Sequence, residues 1–194
     1  MSLTLNQKWA ELSKSESLPV KLAIPDSTMT YTITNSIKVS DELTILYVKQ
    51  QSGQRTRSVI FTVPKARMEI VESDYDKTPN SRVRISPAFE HDPDEKVFSK
   101  FCADFSNKIT LMRDLMEAHE GLPDMGEFMS PLKEGRDGVV IYLKIKDPKV
   151  KRELEKPESA LDMEVKLTFR VNCLWLSSAG KSGLSLDLLS FQPL

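Results

Sequence analysis

Glu164-Val165-Lys166-Leu167-Thr168-Phe169-Arg170-Val171-Asn172-Cys173-Leu174-Trp175-Leu176 alternates apolar and polar side chains along most of its length. A period of two is the mark of a strand with one buried and one solvated face. Val165, Leu167, Phe169, Val171, Cys173 and Trp175 are therefore expected to face a core, and Lys166, Thr168, Arg170 and Asn172 to face solvent. The small-residue stretch Ser177 to Gly183 then reads as a loop returning the chain into Leu184 to Phe191, which makes the end of the sequence a hairpin.

The same alternation recurs upstream. In Val139 to Lys146, Val139, Ile141, Leu143 and Ile145 point one way and Tyr142, Lys144 and Lys146 the other. Arg82 to Ile85 and Leu43 to Lys49 read as strands, with Thr28 to Ile33 and Ile37 to Val39 as shorter ones. Across a turn at Gln50 to Arg55, the strand Arg57 to Val63 is expected to pair with Leu43 to Lys49 and to stop at Pro64. Met68 to Val71 extends the sheet, and Asp74 to Asn80 is a polar loop.

One helix interrupts the strands. Asp92-Pro93-Asp94-Glu95 places a capping residue, a proline suited to the first turn and an acid three residues on. Phe98, Phe101, Phe105, Ile109, Met112 and Met116 follow at three- and four-residue steps, one apolar stripe, until Gly121 and Pro123 end it. Residues 92–121 thus form an inserted helix expected to pack on the sheet. Met125 to Pro131 is a loop, Lys133 to Gly138 a turn, residues 147–162 a charged connector, and residues 1–20 a flexible arm in which Trp9 and Leu12 share the face of a short helix. The whole, residues 1–194, reads as a single domain of mainly β class with an inserted α-helix (α+β).

Composition narrows the function. No apolar run is long enough to span a bilayer, and Met1-Ser2-Leu3-Thr4-Leu5-Asn6 lacks a signal-peptide pattern, so the expectation is an intracellular protein with no membrane association. Cys102 and Cys173 fall in the helix and in a strand, where they read as small packed groups and not as a bridge. Lys and Arg number 27 against 28 Asp and Glu, a net charge of −1 that exerts no bulk pull on a polyanion. Any nucleic-acid site must gather its cations locally.

Catalytic and metal signatures are weak. Gly180-Lys181-Ser182 matches the end of a phosphate-binding loop, but Trp175 stands where that motif needs its first glycine, and strands flank it. His91 and His119, the two histidines, lie beside a helix start and a helix end and form no zinc spacing. Asp74-Tyr75-Asp76 and Asp92-Pro93-Asp94 read as a solvated loop and a helix start. No nucleophile motif occurs. The expectation is a binding protein with no catalytic residues, metal or cofactor.

The positive candidates lie on the strands. Arg82, Arg84, Tyr142, Lys144, Lys146, Lys166 and Arg170 take outward positions from which acidic residues are nearly absent, and Arg55, Arg57, Lys65, Arg67, Lys133, Arg136 and Lys181 could extend the track. Basic groups along phosphates and rings against bases are what single-stranded nucleic acid requires. Trp175, in the core-facing set, is assigned to packing.

The run Ser58 to Met68 with its Pro64, Val83-Arg84-Ile85-Ser86 before the Phe-rich helix, Phe128 to Gly138 before a Lys-bearing strand, and the closing hairpin with Leu174-Trp175 and Gly183-Leu184 together resemble the OB-fold-like single-stranded DNA-binding replication proteins of large eukaryotic DNA viruses. That resemblance, over roughly Leu43 to Phe191, implies an OB-like antiparallel barrel and largely sequence-independent binding of single-stranded DNA in replication or recombination. It also implies the nucleus or cytoplasm of a host cell, and leaves room for a homo-oligomer and for replication proteins as partners. The chain ends Ser190-Phe191-Gln192-Pro193-Leu194, without the acidic tail some such proteins carry. A structural or interaction protein, such as a viral scaffold or a capsid-associated β-sandwich, is the alternative.

Overall fold

The computed structural model describes residues 22–23, 30–52, 54–71, 81–88, 92–119, 125–135, 138–156 and 163–194. The expected arm at 1–20, the loop at 74–80, His91, Gly121, Pro123 and Arg136 lie outside these residues. The strands in chain order are β1 (Leu22–Ala23), β2 (Thr30–Ser40), β3 (Leu43–Ser52), β4 (Arg55–Ser58), β5 (Ile60–Val71), β6 (Arg82–Ser86), β7 (Glu127–Met129), β8 (Leu132–Gly135), β9 (Gly138–Lys144), β10 (Met163–Ser177) and β11 (Lys181–Pro193). The helices are α1 (Asp92–Glu117) and α2 (Pro148–Leu154). The chain is mainly β, as its alternating pattern requires.

β10 organises the sheet because its length lets it serve several neighbours. Met163 to Arg170 pair antiparallel with β5, Leu174 to Ser177 pair with β3, and β11 runs back along the other edge. From β5 the pairing passes to β6, from β6 to β9, and from β9 to β11 through the parallel pair Lys144 and Asp187. The route β10, β5, β6, β9, β11 thus returns to β10. Outside it, β2 and then β1 extend from β3, β4 pairs with β3, β7 runs parallel beside β11, and β8 pairs with β9.

The helix α1 buries Phe98, Phe105, Ile109, Met112 and Met116, with Cys102 and Leu115 beside them and Phe101 partly buried, and it ends at Glu117. Phe105 meets Phe61 of β5 edge-on at 4.7 Å between centroids and Phe169 of β10 at 5.4 Å. Phe61 and Phe169 stack on each other at 5.4 Å. The three rings fasten helix to sheet, which is where a helical aromatic stripe gains most. Both cysteines are free and buried, and burial raises the Cys102 thiol to about 11.

Four readings of the chain change once it is folded. First, the Arg57 to Val63 segment is divided: β4 pairs with β3, but β5 leaves it for β10 and continues through Pro64 to Val71. Pro64 is tolerated because it sits where the ladder skips from Val63 opposite Leu167 to Ala66 opposite Val165, a bulge that needs no proline N–H. Second, the two short strands expected around Asn35 and Ser36 are one, β2, carried past them by an irregularity between Ile33 and Asn35.

Third, the charged connector holds α2. Asp147 accepts from the Lys149 amide at 2.8 Å, Pro148 opens the first turn, and Val150 and Leu154, four residues apart, enter the core. Likewise the loops expected at 125–138 contain β7 and β8. Fourth, the alternation in β10 does not persist. Val165, Leu167, Phe169 and Val171 join the core, but a register shift between Val171 and Cys173 inverts the parity, so Leu174 and Leu176 take the core positions. Cys173 and Trp175 stand on the opposite face, and neither is part of the core cluster.

β7 is attached at a tight approach of two glycines. Gly126 has φ +54°, Glu127 N donates to the Gly180 carbonyl at 2.8 Å, and a Cβ on Gly126 would run into that same carbonyl oxygen. Gly126→Ala is expected to cost about 1–3 kcal/mol from left-handed strain alone, with the clash added. A urea melt should show its midpoint lowered relative to the parent chain.

Candidate nucleic-acid interface

Residues paired across adjacent strands point to the same side of a sheet, so register alone decides which candidates meet. Arg82 on β6 lies opposite Lys144 on β9, Lys144 opposite Asp187 on β11, and Asp187 opposite Arg170 on β10. Their neighbours Val83, Leu143, Leu186, Leu188 and Phe169 are all in the core, so this row stands on the outer face. The parallel row one step along is Glu69, Arg84 and Tyr142.

Asp187 is the centre of the first row. It is only 2% exposed, Lys146 Nζ lies 3.3 Å from its Oδ1, and Arg170 Nη2 lies 3.4 Å from its Oδ2. A carboxylate so buried needs cations about it, and here it has two that remain substantially exposed, at 50% and 41%. Arg82 and Lys144 are half-buried and, among the described residues, pair with no carboxylate. The patch therefore holds four cations against one carboxylate, a local positive excess in a chain of balanced total charge.

Tyr142 is the exposed ring of this face, at 38%, with Lys133 Nζ of β8 5.7 Å from its centroid. Arg84, beside Tyr142 in register, is held by Glu69. Lys65 pairs with Glu164 at 3.1 Å, and Arg67 stands opposite Ser86 and Glu164. The expectation that acids avoid these positions is thus corrected: Glu69, Glu164 and Asp187 stand among the cations, since carboxylates distant in sequence reach the face through pairing.

Other candidates are placed apart. Lys166 shares the outer parity of Arg170, four residues along β10. Arg55 and Arg57 on β4 fall opposite Ser52 and Gln50, the face of β3 that Leu46 and Val48 occupy and not the face of the cation row. Lys181 is exposed at the start of β11, opposite Ser177 and Glu127.

No family model, curated protein or solved structure matches the chain.

The chemistry of the outer face is cationic and aromatic. Among the described residues no group of His, Cys, Asp and Glu side chains could hold a metal ion, and no helix is long and apolar enough to cross a membrane. Cys173 borders the patch, but its thiol is raised, chiefly by burial and against the opposing pull of Lys146 and Lys144, so it is a poor nucleophile. Asp187 and Trp175 are what sequence reading missed on this face. The first stands at an outward position of the alternation Leu184-Ser185-Leu186-Asp187-Leu188, but nothing in that stretch shows which cations it meets; the second was assigned to the wrong side by the unforeseen bulge.

Proposed function

We propose that the chain binds single-stranded nucleic acid, DNA favoured, without strong sequence preference, and that it acts in DNA replication or recombination. The observation that carries this is the register of Arg82, Lys144 and Arg170 on one outer face beside Tyr142, with Lys146 over the same carboxylate.

An OB-fold is a five-stranded, partly open Greek-key barrel. The pairing circuit β5, β6, β9, β11, β10, β5, with β9 and β11 parallel, likewise has five strands and supports that reading. On this reading α1 is an insertion between the second and third strands, and α2 lies between the third and fourth. The second and third strands of an OB-fold, with the loop between the fourth and fifth, are its usual oligonucleotide face. Here those strands are β6 and β9, which bear Arg82, Arg84, Tyr142 and Lys144, and Lys181 follows the loop.

Fluorescence anisotropy of a labelled oligo-dT tests the reading. Binding should be readily measured at low salt and should fall steeply as salt rises. Arg82→Ala with Lys144→Ala removes two phosphate contacts, which should flatten the logarithmic salt slope by about 1.4. Because neither side chain holds a carboxylate among the described residues, the melting temperature should stay within a degree or two of the parent. Absence of binding at low salt sinks the proposal.

One observation favours a second reading, a structural or interaction protein. β1 covers only Thr30 and Tyr31 of β2, so among the described residues Thr34 to Ser40 has no partner on its outer edge, with Ile37 42% and Val39 55% exposed. Such an edge is a template for pairing with another chain. A defined oligomer in light scattering, formed with or without nucleic acid, would support this second reading.

A further inference from the structure

We propose that the indole of Trp175 is a stacking platform for an unpaired nucleobase, an inference that rests on the single-strand reading above. The register shift after Val171 turns Trp175 away from the core, while Leu174 and Leu176 on either side face inward. It therefore shares the outer face with Arg170.

A seat for the ring is built into the neighbouring strand. Gly183 of β11 lies opposite Trp175, and a Cβ there would come within 2.8 Å of Trp175 Cζ2 and 3.1 Å of Cε2. The indole thus lies over Gly183 in space a side chain there would fill. Ile45 of β3 is in register on the other side. Trp175 is half-buried, and among the described residues its side chain has no aromatic neighbour and no hydrogen bond. An aromatic seated on a sheet with no partner for its ring is the arrangement that accepts a base.

Charge favours a polyanion over an apolar partner at this position. Along β11, Lys181 lies two residues from Gly183 in one direction, and Asp187 with its cations Lys146 and Arg170 lies four residues away in the other, about 7 and 13 Å at the rise of a strand. A strand of nucleic acid crossing Trp175 would have cations for its phosphates on both sides. Of the rings on this outer face, the exposed Tyr142 marks β9 and the half-buried Trp175 marks β10.

The test uses the full chain with Trp9→Phe, leaving Trp175 as its single tryptophan. Oligo-dT and an abasic oligomer of equal length are titrated in parallel, reading tryptophan emission and the anisotropy of the labelled strand. Oligo-dT should quench the emission and the abasic strand should not. In the same background Trp175→Ala should weaken oligo-dT about tenfold, Trp175→Phe should retain most of the affinity, and the abasic strand should bind both alike.

If anisotropy reports binding while emission stays constant and Trp175→Ala binds as the parent does, the platform is overturned and the cationic interface stands. If no strand changes the anisotropy at low salt, both fall. A shift of Trp175 emission with protein concentration alone, accompanied by a dimer in light scattering, assigns the face to a second copy of the chain and overturns the platform. Should Trp175→Ala fail to fold, the quenching comparison between the two strands decides the matter without it.

Discussion

Replacing Lys146 and Arg170 together by methionine is expected to cost about 3–5 kcal/mol of folding stability, because the buried Asp187 then loses both cations that contact its carboxylate and keeps only Lys144, opposite it on β9 and not in contact with it. The two replacements keep the aliphatic stems, so packing is largely preserved and the loss isolates the charge. Asp187 is 2% exposed and cannot turn to water without opening the β10–β11 ladder in which it lies opposite Arg170. Asp187→Asn added to the double variant removes the stranded charge and should recover most of the loss. Urea denaturation of the four proteins, including Asp187→Asn alone, measures this as a double-mutant cycle. If the double variant melts like the parent, Asp187 is not held by these cations.

The same set bears on binding. Asp187→Asn alone leaves Lys146 and Arg170 in place and releases both from their shared counter-charge, so oligo-dT affinity should rise and its salt dependence should steepen. The double methionine variant should bind more weakly. Opposite signs from neighbouring substitutions on one patch separate a phosphate contact from general loss of structure.

Phe105→Ala is expected to cost about 3–5 kcal/mol, a large share of the 5–15 kcal/mol that holds a typical domain together. Phe105 is fully buried and touches Phe61, Phe101 and Phe169, so its removal opens a cavity among rings contributed by α1, β5 and β10. Few side chains can collapse into that space, because Phe61 and Phe169 are fixed by antiparallel pairing in register. Thermal and urea unfolding give the magnitude. A loss below about 1 kcal/mol would mean that the helix is not anchored through this ring.

These two sites differ in how much of them could be read in the chain. The Phe-rich stripe of α1 was evident from spacing, since three- and four-residue steps place Phe98, Phe105, Ile109, Met112 and Met116 on one side of any helix. The outward set of β6 and β9 was equally evident, because Arg82, Arg84, Tyr142 and Lys144 alternate with residues that are fully or nearly fully buried. Asp187 also takes an outward place, alternating with Leu186 and Leu188 as Ser185 does, but nothing in that stretch names its partners. They are Arg170 of β10 and Lys146 just beyond β9, both distant in sequence.

Local pattern therefore determined the β character, the helix and the polarity of each face. Tertiary structure decided where the pattern breaks and which strands meet. Periodicity extends only as far as the backbone stays regular, and one extra residue at a bulge turns every side chain beyond it to the other face. That is why Trp175 could be placed only in the folded chain, and why β5 was expected beside β3 but lies along β10. Pairing partners are chosen by long-range contacts across the whole sheet, which no short stretch of sequence contains.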